Sequence, residues 1–382
     1  VASPDPSIWT DVEAILDRRV PLAVASTGGG SLLAAWLLNH PGASRAVVEV
    51  QIPYHARALE AFLGEGGPYP VEAETARRMA LSAYTRARDL SGEDAAMGLG
   101  CTAALATNRV RRGAERAFIS LRTESGYACC AVRFEEGQAT REEQEHDLSR
   151  TALEQLLAAS QDAAVRPSFT TAEISLARYP VHDELEALLD GHADHVVFET
   201  DGRISTTIDP PPTLLFPGSF NPLHQGHVEL AAVAETRTGA AVCLELSVEN
   251  VDKPSLSYGA VLDRLAGLKG RFRVVLSRAA TFAAKGRLFP CGWMVVGYDT
   301  AVRLLDPRYY EGGEAGLDDA LRFFSDNGVR FLVAGRAQEG AFRTLADLPV
   351  PDAFGDLFEG LDEGDFRSDL SSTELRVSSG TS

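Results

Sequence analysis

Two histidines, His224 and His227, stand in the run Gly218-Ser219-Phe220-Asn221-Pro222-Leu223-His224-Gln225-Gly226-His227. Imidazoles so placed at the start of a helix can donate hydrogen bonds to phosphate oxygens whose charge grows in a transition state. A helix N-terminus adds unpaired amides and a partial positive charge for the same anion. Gly218 lets the backbone approach closely, and Asn221-Pro222 forces a turn. A lone His-x-x-His pair is as well explained by bonds to backbone. The whole decapeptide favours the phosphate reading.

Such rings need a strand ending before Gly218 and a helix starting near His224. TLLF supplies the strand and HVELAAVAETR the helix. Strand AVCLELSV, a helix around YGAVLDRLAGL and strands FRVVLS, WMVVGY and RFLVAG follow. Strands alternating with helices predict a doubly wound parallel sheet whose ligand crevice lies at the carboxyl ends of its strands. Upstream, strand VPLAVAST, the run GGG and helix SLLAAWLLNH open another α/β unit. Strand-like AAMGLGCTAAL and RAFISLRTESGYACCAVRF and the charged amphipathic helix REEQEHDLSRTALEQLLAAS continue it. VVFETDGRIST predicts a β-hairpin around Asp201-Gly202, and the prolines from Pro210 to Pro212 exclude helix or central strand. The expected organisation is an α/β domain over residues 1–160, a connecting segment with a hairpin over 161–212, and a second α/β domain over 213–382.

The decapeptide resembles the HxGH motif of the nucleotidyltransferase superfamily, in the GSFNPxHxGH form of nicotinamide and nicotinate mononucleotide adenylyltransferases. Far away, DLSSTELR, Asp369 to Arg376, is similar to that family's ISSTxxR segment, which holds the triphosphate of ATP. Ser371, Ser372 and Thr373 can open a helix and offer hydroxyls and amides to phosphate, with Arg376 a turn later. Val295 to Thr300, VVGYDT, resembles the family's GxD segment, with Gly297 and Asp299 near the nucleotide. Lys253 in ENVDKP reads equally as the family's phosphate-approaching lysine and as a solvated loop lysine. Arg336 ends a strand and is a candidate for the substrate phosphate. Trp293 could stack on a ring, but core filling is the better account.

This resemblance covers Thr213 to Arg376 and implies a Rossmann-like nucleotidyltransferase. A mononucleotide phosphate would attack the α-phosphorus of ATP and release pyrophosphate. His224, His227 and Arg376 would be catalytic. Gly218, Ser219, Phe220, Asn221, Gly226, Gly297, Asp299, Ser371, Ser372 and Thr373 would bind ATP, and Mg²⁺ would bridge its phosphates. No side chain stands out as a dedicated metal ligand. An acceptor such as phosphopantetheine or a polyol phosphate, or a nucleotide sensor with reduced catalysis, are the alternatives.

STGGGSLLAAWLLNHPGAS, IPYHARALEAFLG and ETARRMALSAY resemble the C-terminal domain of the competence-damage protein CinA, over Ile15 to Ala159. The resemblance implies an α/β sandwich and, in related proteins, nicotinamide mononucleotide deamidation. Departures accompany it. Thr27 falls where the family has its serine, with Gly29 and Gly30 after it. Tyr54 matches the family's tyrosine, but the lysine position is Leu59. No lysine precedes Lys253 anywhere in the chain, so a nucleophile here lacks its activating base. The fold with amidase activity lost or changed is the expectation, leaving Thr27, Gly29, Gly30 and Tyr54 as a vestigial site.

A net charge of −18 over 382 residues argues against non-specific polynucleotide binding and tRNA synthetase chemistry, but not against small phosphorylated substrates. Five cysteines without a CxxC pair read as buried thiols. His192 and His195 in GHADH lack the company a metal site needs. The longest apolar run near the N-terminus, LLAAWLL, is too short for a membrane span. A cytoplasmic homo-oligomer binding neither nucleic acid nor membrane is expected.

Overall fold

The computed structural model describes residues 5–64, 67–108, 113–161, 172–249, 255–338 and 341–367. The chain divides into two compact units, Val1–Val181 and His182–Ser382. Both are α/β.

The first unit runs α1 (Pro6–Leu16), β1 (Leu22–Thr27), α2 (Leu32–Asn39), β2 (Val47–Gln51), α3 (Ala56–Leu63), α4 (Ala73–Ser91), β3 (Met97–Ala104), β4 (Arg116–Thr123), β5 (Gly126–Phe134), α5 (Arg141–Gln161) and β6 (Ala172–Pro180). Its sheet has the order β2-β1-β3-β4-β5-β6, parallel through β2, β1 and β3 and antiparallel beyond. Side chains on a strand point alternately to its two faces. Met97, Leu99, Cys101 and Ala103 of β3 join Ile8, Leu33, Leu148 and Leu156 from α1, α2 and α5 in one core. Gly98 and Gly100 face the other way, where α4 lies almost on the strand. A Cβ on Gly98 would stand 2.1 Å from the Tyr84 nitrogen, and one on Gly100 2.3 Å from the Ala76 oxygen.

The second unit runs α6 (Asp183–Leu189), β7 (His195–Phe198), β8 (Ile204–Ser205), β9 (Leu214–Pro217), α7 (Gln225–Thr238), β10 (Val242–Ser247), α8 (Tyr258–Leu268), β11 (Arg273–Ser277), α9 (Phe282–Leu288), β12 (Trp293–Gly297), α10 (Tyr298–Leu304), α11 (Glu314–Asp326), β13 (Arg330–Ala334), β14 (Arg336–Gln338), β15 (Ala341–Arg343) and β16 (Phe358–Leu361). The main sheet has the order β16-β13-β12-β9-β10-β11-β7-β8, while β14 and β15 pair separately. From β16 to β11 the neighbours are parallel. Leu215, Val275, Met294 and Phe331 of the sheet pack with Phe324 of α11 in the core.

The described part of residues 161–212, expected to form a separate connector, contributes strands to both sheets. β6 forms the edge of the first sheet against β5. The hairpin β7–β8, turning at Asp201-Gly202, lies antiparallel on β11 and ends the second sheet. Pairing satisfies backbone groups that β5 and β11 would otherwise leave open, and makes β6 and the two-residue β8 the edges instead. The unit boundary therefore falls at Val181, and the expected all-parallel sheet carries an antiparallel edge. Among the described residues no helix is long and apolar enough to cross a membrane.

Candidate nucleotide site

In the second unit the chain leaves β9 for β10 and β11 on one side, then returns to β12, β13 and β16 on the other. The switch point lies between β9 and β12, where such sheets open a crevice at their carboxyl edge. Pro217, Ser247, Gly297 and Ala334 end four parallel strands on that edge.

The loop after β9 begins with the Gly218 amide donating to the Glu245 carbonyl at 2.9 Å. A Cβ on Gly218 would lie 2.6 Å from the Phe220 ring, so only glycine fits beneath it. Phe220 is 1% exposed and holds a positive φ of 43°. Its ring packs edge-on against Phe216 at 5.5 Å and His227 at 5.2 Å. Phe220, expected to touch ATP, is thus the apolar floor of the site. Ser219 is exposed, Asn221 half-buried, and Gly226 buried in the first turn of α7.

His224 is the N-cap of α7 with extended backbone, and His227 is its third helical residue. The His224 amide donates to His227 Nδ1 at 3.3 Å, and the His227 amide donates to the His224 carbonyl at 3.0 Å. The two rings stack with centroids 3.7 Å apart. A ring nitrogen that accepts carries no proton, so His227 holds its proton on Nε2 as a donor. Burial, reinforced by His224, pushes the His227 pKa down to about 4, and burial lowers that of His224 also. Both rings are therefore neutral donors near pH 7. The His224 side chain closes a reciprocal capping box with His227 at the start of α7, although its buried Nδ1 makes no full hydrogen bond.

Acid should weaken this unit. The unfolded chain protonates His227 near its ordinary value of 6.5, while the folded unit resists until about 4. Between those values the unfolded state holds more protons, so stability falls as pH falls through that window. Denaturant midpoints measured across it should show a shallower slope in His227→Gln than in the parent chain.

Gly297 caps α10, and a Cβ there would meet nothing within 4 Å, so internal packing does not require glycine. Asp299, in the first turn of α10, is ion-paired with Arg336 at the start of β14. The two candidates thus engage each other just past the carboxyl ends of β12 and β13. The pair is about half exposed, with side chains 45% and 50% accessible, so it holds weakly against a competing phosphate. Trp293 begins β12 at the opposite edge of the sheet, half-buried beneath the Arg330 guanidinium at 4.3 Å. Lys253, Ser371, Ser372, Thr373 and Arg376 lie outside the described residues.

A nicotinate-nucleotide adenylyltransferase of Gloeobacter violaceus is 28% identical over 173 residues, covering 42% of this chain and 81% of that protein. No family model matches this chain. Solved structures of the CinA superfamily are also similar to it. The competence/damage inducible protein of Agrobacterium tumefaciens is 21% identical at a TM-score of 0.36, covering 41% of this chain and 98% of that one. The CinA superfamily protein of Enterobacter cloacae is 15% identical at 0.33, covering 40% and 90%.

A second candidate lies in the first unit, where the expected anion-binding loop is present but filled. Gly28 has a φ of 76°, and a Cβ there would meet the Ala103 oxygen at 2.0 Å. Beyond Gly29, the Gly30, Ser31 and Leu32 amides and the Ser31 hydroxyl all donate to the Glu145 carboxylate at 2.9, 2.5, 3.1 and 2.9 Å. Glu145 comes from α5 and takes the place an anion would occupy at the start of α2. Arg141, one turn earlier, donates to the carbonyls of Gly28 and Ala106. Thr27 donates its hydroxyl to the Pro53 carbonyl at 2.9 Å, and Tyr54 is 71% exposed. Sequence reading missed Glu145 because one carboxylate among many on a charged helix gives no signal. Glu145→Ala should strip a cap from α2 and cost the first unit about 1–2 kcal/mol, read as a lower urea midpoint.

Proposed function

We propose that the second unit is an ATP-dependent nucleotidyltransferase that joins the adenylyl group of MgATP to a pyridine mononucleotide. The observation that carries this reading is the stacked pair His224–His227 at the N-terminus of α7. It sets an Nε2–H donor at the helix start beside the switch point of the sheet. The likeness to a nicotinate-nucleotide adenylyltransferase supports the choice of acceptor.

In the proposed step an oxygen of the mononucleotide phosphate forms a bond to the α-phosphorus as the bond from that phosphorus to the bridging oxygen breaks. The bridging oxygen leaves with pyrophosphate. No side chain forms a covalent bond, so rate comes from positioning and from donors aimed at the growing negative charge. His227 Nε2–H would serve the α-phosphoryl oxygens, with the amides at the start of α7 beside it. Arg336 would exchange Asp299 for a substrate phosphate. Ser371, Ser372, Thr373 and Arg376 would hold the outer phosphates, and Lys253 is a further phosphate candidate. Mg²⁺ enters with ATP as part of the substrate; among the described residues no group of three or more His, Cys, Asp or Glu could hold a metal ion.

Pyrophosphate release from MgATP tests the reading, with nicotinate mononucleotide, nicotinamide mononucleotide and phosphopantetheine supplied separately. Release with one pyridine mononucleotide is expected. Release only with phosphopantetheine would move the acceptor. ATP binding without release in any arm would make the unit a nucleotide sensor.

A further inference from the structure

Lys285 is one of three lysines in the chain, and it is buried. Its ammonium lies 2.9 Å from each carboxylate oxygen of Glu245, itself 1% exposed, and donates to the Ala279 carbonyl at 2.6 Å. Ser277 donates to the same carboxylate at 2.6 Å, and Ser247 donates to the Ala279 carbonyl at 2.8 Å. Among the described residues its acceptors come from β10 and from the loop just after β11. A buried pair of this kind is weak as a stability device, because taking both charges out of water offsets most of their attraction.

Its position is more telling than its energy. Glu245 stands opposite Pro217, the last residue of β9, and its carbonyl accepts the Gly218 amide at 2.9 Å. The residue whose side chain is gripped by Lys285 therefore holds, by its backbone, the first residue of the histidine loop. Through Ala279 and Ser247 the same lysine ties together the ends of β10 and β11. The ammonium thus joins β10 to the loop after β11, and the Glu245 carbonyl joins both to the end of β9.

We infer that Lys285 and Glu245 form a positioning pair that sets the height of the Gly218–His227 loop against the sheet edge. The inference rests on the adenylyl-transfer reading for its kinetic consequence but not for its structural one. The pair touches no substrate and acts through the Glu245 backbone.

The test is the double variant Glu245→Leu plus Lys285→Met in the full chain, beside Lys285→Met alone. The single variant leaves a carboxylate buried without its partner and should melt lower. The double variant should recover most of the melting midpoint, because an apolar pair needs no desolvation. If the pair positions the loop, kcat for pyrophosphate release stays about 10–100-fold down with the KM for MgATP little changed, as expected of a misplaced donor. Hydrogen exchange at the Gly218 amide should then be about tenfold faster than in the parent chain, consistent with a loosened contact. A double variant with parental turnover and parental Gly218 exchange would overturn the inference. A parent chain inactive on every acceptor would instead sink the functional reading and leave the exchange measurement to decide this one. If the double variant fails to fold, Glu245→Gln replaces it, keeping shape and removing charge. Faster Gly218 exchange in that variant supports the positioning role, and parental exchange rejects it.

Discussion

His227→Ala should lower pyrophosphate release about 10²–10³-fold, with the larger part in kcat, the loss seen when one preorganised donor to a developing oxyanion is removed. The expectation follows from three facts about one ring. Its Nδ1 is used by the His224 amide, its face is stacked on His224, and its edge is packed on Phe220. Those contacts leave Nε2–H as the group available to a phosphate, already oriented before substrate arrives. With a pKa held near 4, the ring donates a hydrogen bond without carrying a charge that would tighten ground-state binding. His224→Ala should cost less, because it removes a stacking partner and a helix cap but leaves the His227 donor. A His227→Ala enzyme with unchanged kcat would remove this ring from the chemistry.

The second large effect concerns folding. Gly100→Val should abolish cooperative folding of the first unit. Its Cβ would come within 2.3 Å of the Ala76 oxygen, 2.4 Å of the Ala80 nitrogen and 2.7 Å of the Met79 Cβ. Two of those atoms belong to the backbone of α4, a helix of 19 residues, so relief requires moving the helix rather than turning a side chain. Overpacking usually costs about 1–3 kcal/mol where neighbours can yield, and here backbone blocks the yielding. Against a typical domain stability of about 5–15 kcal/mol, a penalty beyond the usual range is enough to lose β3 protection. Hydrogen exchange along Met97–Ala104 reads this directly, and slow parental exchange in the variant would refute it.

What the sequence made legible follows from what is local. The helix expected around YGAVLDRLAGL is found at Tyr258–Leu268, because Ser257 caps it through Ala260 and the apolar spacing fixes its inner face. The histidines were legible for the same reason, since strand, turn and helix start are written in consecutive residues. Partners chosen across the fold were not. Glu145 reaches the Gly30 amide across 115 positions, and Lys285 meets Glu245 across 40. Nor did the pattern of AEISLARYP say which sheet β6 would join, since alternation sets the faces of a strand and not its neighbour. Phe220 was read as a contact because it sits within the motif. Its burial depends on Gly218 having no side chain, a relation visible only once the loop is folded.

The scarcity of lysine gives the molecule a built-in reporter. The first unit contains no side-chain amine at all, Lys269 of the second is exposed, and Lys285 is sealed beside its carboxylate. An acylating reagent would therefore mark Lys269 in the native protein and reach Lys285 only when the second unit opens, with the peptide carrying Lys253 read separately. The ratio of the Lys285 to the Lys269 label would follow the opening of one unit inside the intact chain, while the other offers the reagent no lysine.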